Sequence, residues 1–253
     1  MRVGIFGNGR LGSAVARLIA AESDMELAWA LDKGESPRGP VDVALDASVG
    51  PAVAGHLAWA RASQVDMVVG TTGWDASALD PAEYASIGVL VAPNFSLAVA
   101  YLKRVALSLG RFAALDSRAD LSVLERHHRA KIDAPSGTAK LLAAALREGC
   151  PRYAEPKSRA AVPDASASSS PETRLQIVSV RGGSEVGYHE LRLEADAEAL
   201  VISHEAKSRD IFAQGALQAL RWIRGKKGFF SFDDLADELI SPLFLAPGPG
   251  GSR

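Results

Sequence analysis

Residues 2–22 read RVGIFGNGRLGSAVARLIAAE: a β-rich run, a turn punctuated by glycines, then apolar positions at helical spacing. Further short β-rich runs follow, MELAWALD, VDVALDA, VDMVVGTT and IGVLVAPN, separated by longer amphipathic stretches. Strands joined by helical connections predict an α/β fold with a Rossmann-type, doubly wound parallel sheet in the first hundred residues.

The rhythm changes near Phe95. A long helix is expected over roughly Leu97–Arg111, then the run DLSVLERHH, then a helix from Ser136 to about Glu148. Residues 155–172 are rich in Pro, Ala and Ser without periodicity and are expected to form a mobile loop. RLQIVSVRGG, EVGYHELRLEAD and ALVISHEA read as three strands, closer to an antiparallel sheet. IFAQGALQALRWIRG is a helix, FFSFDDLADELI closes the chain, and the residues after Leu243 are expected to fray.

Composition excludes several classes of function. The formal net charge is −2, so no global positive field favours nucleic acid or an anionic membrane. No apolar run approaches the roughly 20 residues of a membrane span. The first strand begins at residue 2, which leaves no room for a signal peptide, and the single cysteine, Cys150, fits a reducing compartment. A cytoplasmic protein is expected. At 253 residues and 47% hydrophobic content, one large domain or two of ordinary size are both compatible.

The glycine turn carries the first chemical signal. Gly7, Gly9 and Gly12 have the G-x-G-x-x-G spacing, with Asn8, Arg10 and Leu11 between them. The first glycine permits a tight turn, the second lets the backbone approach a pyrophosphate, and the third packs helix on strand. Asp32 ends the next strand, 20 positions beyond Gly12, where a carboxylate would hold a ribose 2′-hydroxyl. A glycine turn with a surface aspartate would read alike, but the strand–turn–helix context favours a dinucleotide.

Two later strands end in GTTGW (70–74) and APNFS (92–96). Loops at the carboxyl ends of parallel strands border the ligand crevice. Gly70, Thr71 and Thr72 can approach a flat ring and donate through backbone or hydroxyl groups, and Asn94 can bond a carboxamide. Gly and Asn are also common turn residues, so each loop alone decides little.

The stretch ERHHRAKIDAPSGTAK, residues 125–140, holds two of the chain's five histidines. Neighbours on a strand face opposite ways, so His127 and His128 line one pocket only if the chain turns there. A half-buried strand pair, or one wet and one packed histidine, is one reading. Zinc is another, weakened by the lack of a further Cys/His cluster with ligand spacing, and no metal is expected. The third is acid–base chemistry, with Lys131 as a proton or charge donor. Pro135, Ser136 and Gly137 stand at a helix start, where free N–H groups and the Thr138 hydroxyl can bind a carboxylate.

With GNGRLG, GTTGW, APNFS, ERHHRAKIDAPSGTAK, VRGGSEVGYHE, SHEAKSRDIFAQGALQALRWI and GFFSFDDL in place, the sequence resembles the 4-hydroxy-tetrahydrodipicolinate reductase (dihydrodipicolinate reductase) family over nearly its whole length. The motif E-x-H-H-x-x-K-x-D-A-P-S-G-T is the most specific part. The resemblance implies reduction of a cyclic imine dicarboxylate, with loss of water, by NADH or NADPH in diaminopimelate and lysine biosynthesis. It implies His127 as proton donor and acceptor, Lys131 as second proton donor, His128 as a substrate-binding residue, and Gly137 with Thr138 as the carboxylate loop. Gly70 to Thr72 and Ala92, Pro93, Asn94 and Phe95 match its nicotinamide-side contacts. It further implies a discontinuous dinucleotide-binding domain, residues 1–97 and 208–253. Residues 98–207 would be an α+β substrate-binding and oligomerisation domain with an open mixed sheet, usually assembled as a homotetramer.

Three departures stand out. The glycine loop is one residue shorter than the family's G-x-x-G-R-M-G form, and the Ser-rich stretch 155–172 does not match the usual connection. Asp32 stands where many members have Glu, with Lys33 next to it; aspartate favours a free 2′-hydroxyl, whereas Lys33 and Arg10 could accept a 2′-phosphate. Another amino-acid-pathway dehydrogenase would share the N-terminal loops but not HHRAKIDAPSGT. A non-catalytic nucleotide sensor would have the crevice without the acid and anion pocket.

Overall fold

The computed structural model describes residues 1–153 and 174–244. The chain divides into two compact units, one of Met1–Leu97 with the chain from Arg209 on, the other of Ala98–Ser208. The Ser-rich stretch at 155–172 and the expected frayed end from residue 245 lie outside the described residues.

The first unit is a six-stranded parallel sheet. Its strands are β1 (Arg2–Phe6), β2 (Glu26–Leu31), β3 (Val43–Asp46), β4 (Asp66–Val69), β5 (Gly88–Val91) and, near the chain's end, β10 (Gly228–Ser231). They lie in the order β10-β5-β4-β3-β1-β2, every neighbouring pair parallel. Alternate side chains go to opposite faces, and both faces are covered. Val3, Ile5, Leu45, Val68 and Leu90 pack with α1 (Arg10–Ile19), α5 (Asp210–Ile223) and α6 (Phe232–Ile240). Phe6, Ala44, Met67, Val69 and Val89 pack with α2 (Val53–Ser63). This is the expected doubly wound sheet. The sixth strand, GFFS, is one that local pattern did not separate from the terminal helix; it is only four residues long, and parallel pairing with β5 defines it.

At the carboxyl edge, each strand hands its loop to a neighbour. Gly7 N donates to Leu31 O, Ala47 N to Phe6 O, Gly70 N to Asp46 O and Ala92 N to Val69 O, at 2.8–2.9 Å. Four loops are thereby pinned where they leave the sheet. The chain passes from β1 to β2 on one side and β3 on the other, the switch point at which such sheets open a crevice.

The second unit has a four-stranded sheet ordered β7-β6-β8-β9: β7 (Gln176–Arg181), β6 (Asp120–His127), β8 (Gly187–Glu194) and β9 (Ala199–Ala206). The three late strands do not form an antiparallel run. β7 lies parallel to β6, because a helix connection returns the chain in the same direction, and only β8 and β9 form an antiparallel hairpin. The sheet is therefore mixed. Leu121, Val123, Leu191 and Leu193 pack with α3 (Leu97–Ala113) and α4 (Gly137–Gly149), while Val178, Val180 and Val201 are exposed.

Candidate active site

The glycine turn is built as its spacing requires. Gly7 has φ +98°, a conformation that L side chains rarely adopt, and a β-carbon at Gly12 would lie 1.9 Å from the Gly7 carbonyl oxygen. Gly9 has open space where a β-carbon would stand. It precedes α1 without a side-chain cap, and the first turn of α1 carries no acidic residue. The first amides of α1 are thus left for an external anion, with the helix dipole in support. They border a cleft of about 560 Å³ within the first unit. Its walls are Gly9, Arg10, Leu11 and Ala14; then Ala47 to Gly50, Gly70 to Thr72, and Pro93 to Phe95; and finally Arg209 and Phe212 at the start of α5. An elongated dinucleotide fits this set: an open glycine turn, uncapped amides, and loops from four strands.

The remaining predicted nucleotide residues are not among those that line the cleft. Gly7 and Gly12 shape the turn, and Asn8 accepts a hydrogen bond from Ser13 Oγ. Ala92 is buried at the exit of β5. Asp32 and Lys33 are exposed directly after β2, where the Asp32 amide donates to Glu35 Oε2 at 2.8 Å. Three of the predicted residues also make contacts within the protein. The space beside Gly70 belongs to Phe95 and Leu11: a β-carbon there would lie 2.6 Å from the Phe95 ring. The Thr71 hydroxyl, expected to donate to a ligand, donates inward to Asp46 Oδ1 at 2.6 Å. Asn94 Oδ1 accepts from Ser96 N at 2.9 Å.

Asp46 is a buried carboxylate that none of the sequence motifs includes. It also accepts from Ser48 Oγ at 2.6 Å, Ser48 N at 3.0 Å and His56 Nδ1 at 2.7 Å. Burial by itself would raise its pKa; the bonds from His56, Ser48 and Thr71 outweigh it and hold the carboxyl below its ordinary value. A strand ending in Asp and followed by Ala-Ser was the available signal.

The second constellation lies wholly within the second unit. Leu121, Val123, Glu125 and His127 alternate onto the buried face of β6, so that an apolar row ends in two polar residues. Glu125 Oε2 bonds His127 Nδ1, while Glu125 Oε1 accepts from Arg181 Nη2 at 2.6 Å and Ser136 N at 3.3 Å. Burial favours the neutral carboxyl, but Arg181, Ser179 and His127 hold Glu125 below its usual pKa. His127 is only 8% exposed, and its burial lowers its pKa despite the Glu125 charge; Lys131 and Arg181 push the same way. With Nδ1 occupied by Glu125, Nε2 is the ring nitrogen left for another partner. It lies 3.0 Å from where a β-carbon of Gly187 would be, so the glycine leaves room beside it.

β6 ends at His127 and the chain turns, so His128 is not a simple strand neighbour. Its amide donates to Glu185 O at 2.8 Å and its side chain is half-buried. Lys131 Nζ pairs with Asp133 Oδ1 at 2.7 Å. Ser136 caps α4 through its Oγ, which accepts from Ala139 N at 3.1 Å. The Gly137 and Thr138 amides occupy the first turn, and Gly137 has open space around its missing side chain. A helix start of this kind can bind an anion. His189, directly opposite Glu125 in the β6–β8 register, was not anticipated. Its Nε2 lies 3.2 Å from Ser136 Oγ, and its ring meets the His127 ring edge to face at 5.2 Å. Glu125, His127 and His189 have metal-ligand atoms within 4.8 Å of one another. The Glu125 oxygens are nevertheless committed to Arg181, Ser136 and His127, so the group reads as a hydrogen-bonded cluster.

Neither set suffices by itself. A nucleotide held in such a cleft supplies hydride but no proton, and a histidine beside an open helix start can supply a proton but no hydride. The two define a nicotinamide-nucleotide-dependent reductase. Residues 1–95 match the family model of the dihydrodipicolinate reductase N-terminus, and residues 98–236 that of its C-terminus. The chain belongs to the dihydrodipicolinate reductase family. It is 36% identical over 248 residues to the 4-hydroxy-tetrahydrodipicolinate reductase of Gluconobacter oxydans, covering 92% of this chain and 96% of that one. It is 34% identical to that of Myxococcus xanthus over 261 residues, covering 91% and 94%. Among solved structures, the dipicolinate-bound dihydrodipicolinate reductase from Paenisporosarcina sp. TG-14 superposes with a TM-score of 0.73 at 22% identity, over 91% of this chain and 97% of that one. At that identity the superposition speaks to the fold.

Proposed function

We propose that this chain reduces 4-hydroxy-tetrahydrodipicolinate to tetrahydrodipicolinate, with loss of water, using NADH or NADPH, in diaminopimelate and lysine biosynthesis. The observation that carries the reading is the end of β6: a buried His127 held at Nδ1 by Glu125, its Nε2 beside Gly187, next to the open helix start at Gly137. The first unit binds the nucleotide and the second the substrate.

The nucleotide, when bound, supplies the hydride. Arg10, Leu11 and the open Gly9 hold its phosphates, and the loops at 70–72 and 92–95 hold the nicotinamide end. The amides of Gly137 and Thr138, with the Thr138 hydroxyl, bind a substrate carboxylate, and Lys131 and His128 add charge and hydrogen bonds beside it. His127 delivers the proton that the ring carbon next to the reduced one requires. Glu125 fixes its tautomer and supports the imidazolium form, as a carboxylate does for a histidine acid.

The second unit assembles the protein as a homotetramer. Val178, Leu124 and Glu190 form one row across the face of the sheet away from the helices, and Val180, Arg126 and Tyr188 the next. Exposed valines on such a face favour cover by another copy. The buried free thiol of Cys150 suits the cytoplasm, and among the described residues no helix is long and apolar enough to cross a membrane.

The decisive assay follows nicotinamide absorbance with freshly generated 4-hydroxy-tetrahydrodipicolinate as substrate. Turnover with at least one of NADH and NADPH is expected. A folded sample that binds NADH and turns over neither would refute the reading.

A further inference from the structure

We infer that Asp46 is a positioning residue for nucleotide binding, holding the loops after β3 and β4 in mutual register through Ser48 and Thr71. The inference rests on the reading of the first-unit cleft as the nucleotide site.

Both loops wall the cleft, and beyond their first amides neither has a strand to pair with. Asp46 reaches both from beneath. Its Oδ1 accepts from Ser48 Oγ, Ser48 N and Thr71 Oγ1, at 2.6, 3.0 and 2.6 Å, and its Oδ2 accepts from His56 Nδ1 at 2.7 Å. The carboxylate is fully buried. A buried charge without donors is costly, so the loops that supply its donors are drawn to fixed positions. His56, from α2, takes the second oxygen and stacks on Phe6 of β1 at 4.0 Å between ring centroids, which orients the carboxylate. The loops also meet directly: a β-carbon at Gly50 would lie 2.4 Å from the Gly73 carbonyl oxygen. Trp74 Nε1 donates to Thr71 O at 2.8 Å and holds the far side of that loop. Thr71 is only 7% exposed and its hydroxyl is spent on Asp46, so its hydroxyl serves the cleft indirectly.

The test is a double-mutant cycle read as the Kd for NADH, by fluorescence titration of the full chain without substrate. Asp46→Ala and Thr71→Val should each weaken NADH by about tenfold, the scale of a lost hydrogen bond to a charged group. Because both cut one tie, the double variant should bind no more weakly than about the worse single variant. Asp46→Asn, which keeps an acceptor oxygen for Thr71 and Ser48, should recover most of the affinity, and the KM for the dicarboxylate should move by less than about twofold in all four variants. Should circular dichroism show Asp46→Ala unfolded, His56→Leu replaces it in the cycle, since it frees the carboxylate from its anchor on α2. Singles that leave the Kd near wild type, or losses that multiply in the double variant, would overturn the inference. Wild-type protein that binds no NADH would instead overturn the nucleotide reading beneath it.

Discussion

Glu125 and His127 stand two residues apart on β6, both on its buried face, and the carboxylate bonds the imidazole at Nδ1. The charge of Glu125 counteracts the burial that depresses the pKa of His127, so the imidazole is easier to protonate than its surroundings alone would allow. Glu125→Gln should therefore lower the His127 pKa further. For an acid that must carry its proton into the reaction, kcat/KM falls as pH rises through that pKa, so the descending limb of the pH profile should move to lower pH. Wild type should already lose kcat/KM from below the ordinary imidazole value. A limb that does not move in Glu125→Gln would separate the carboxylate from the acid.

His127→Ala should lower kcat by about 10²–10⁴-fold, the range for a lost general acid. Lys131→Ala should reduce kcat and also raise KM, because charge pairing with a dicarboxylate acts in ground and transition states alike. NADH affinity should barely change in either variant. Steady-state kinetics with direct NADH titration checks all of these; a His127→Ala enzyme with near wild-type kcat would assign the proton to Lys131 or water.

Asp32 follows β2 with its side chain exposed and its amide taken by Glu35. Asp32→Ala should weaken NADH by about 1–3 kcal/mol, the cost of losing charge-assisted bonds to the 2′-hydroxyl. NADPH should lose less, because the same change relieves repulsion of a 2′-phosphate. Equal losses in Kd for the two nucleotides would place Asp32 away from the ribose.

His189 gives a stability prediction. Burial, with a smaller contribution from His127, lowers its pKa from 6.5 to about 4. The unfolded chain then binds the proton more readily than the fold does, so stability drops as pH falls from 6.5 towards 4 and levels off below. Those pKa values correspond to roughly 3 kcal/mol over the window. His189→Gln should flatten this part of the stability curve, measured by urea unfolding at fixed pH steps. An unchanged slope between pH 6.5 and 4 would show that His189 is not the titrating group.

Much of this molecule is local, and the sequence alone determines what is local. The short β-rich runs and the helical spacings mark β1 to β5 and α1, α3, α4 and α5 because a strand or helix repeats its own geometry. Gly7, Gly9 and Gly12 announce the turn because backbone freedom and missing β-carbons belong to the residues themselves. Glu125 and His127 share a face for the same reason, and the H-H-x-x-K-x-D-A-P-S-G-T run carries His127 and the capped helix start within 12 consecutive residues. Tertiary structure decided what depends on partners distant in the chain. GFFS became a sixth strand only by pairing with β5, and β7 took its parallel place beside β6 rather than beside β8. Thr71 turned its hydroxyl inward because Asp46, 25 residues earlier, is buried beneath it. His189 came to face Glu125 through the register of β6 and β8. Cross-strand register and burial are set by packing summed over many long-range contacts, and no window of sequence contains them.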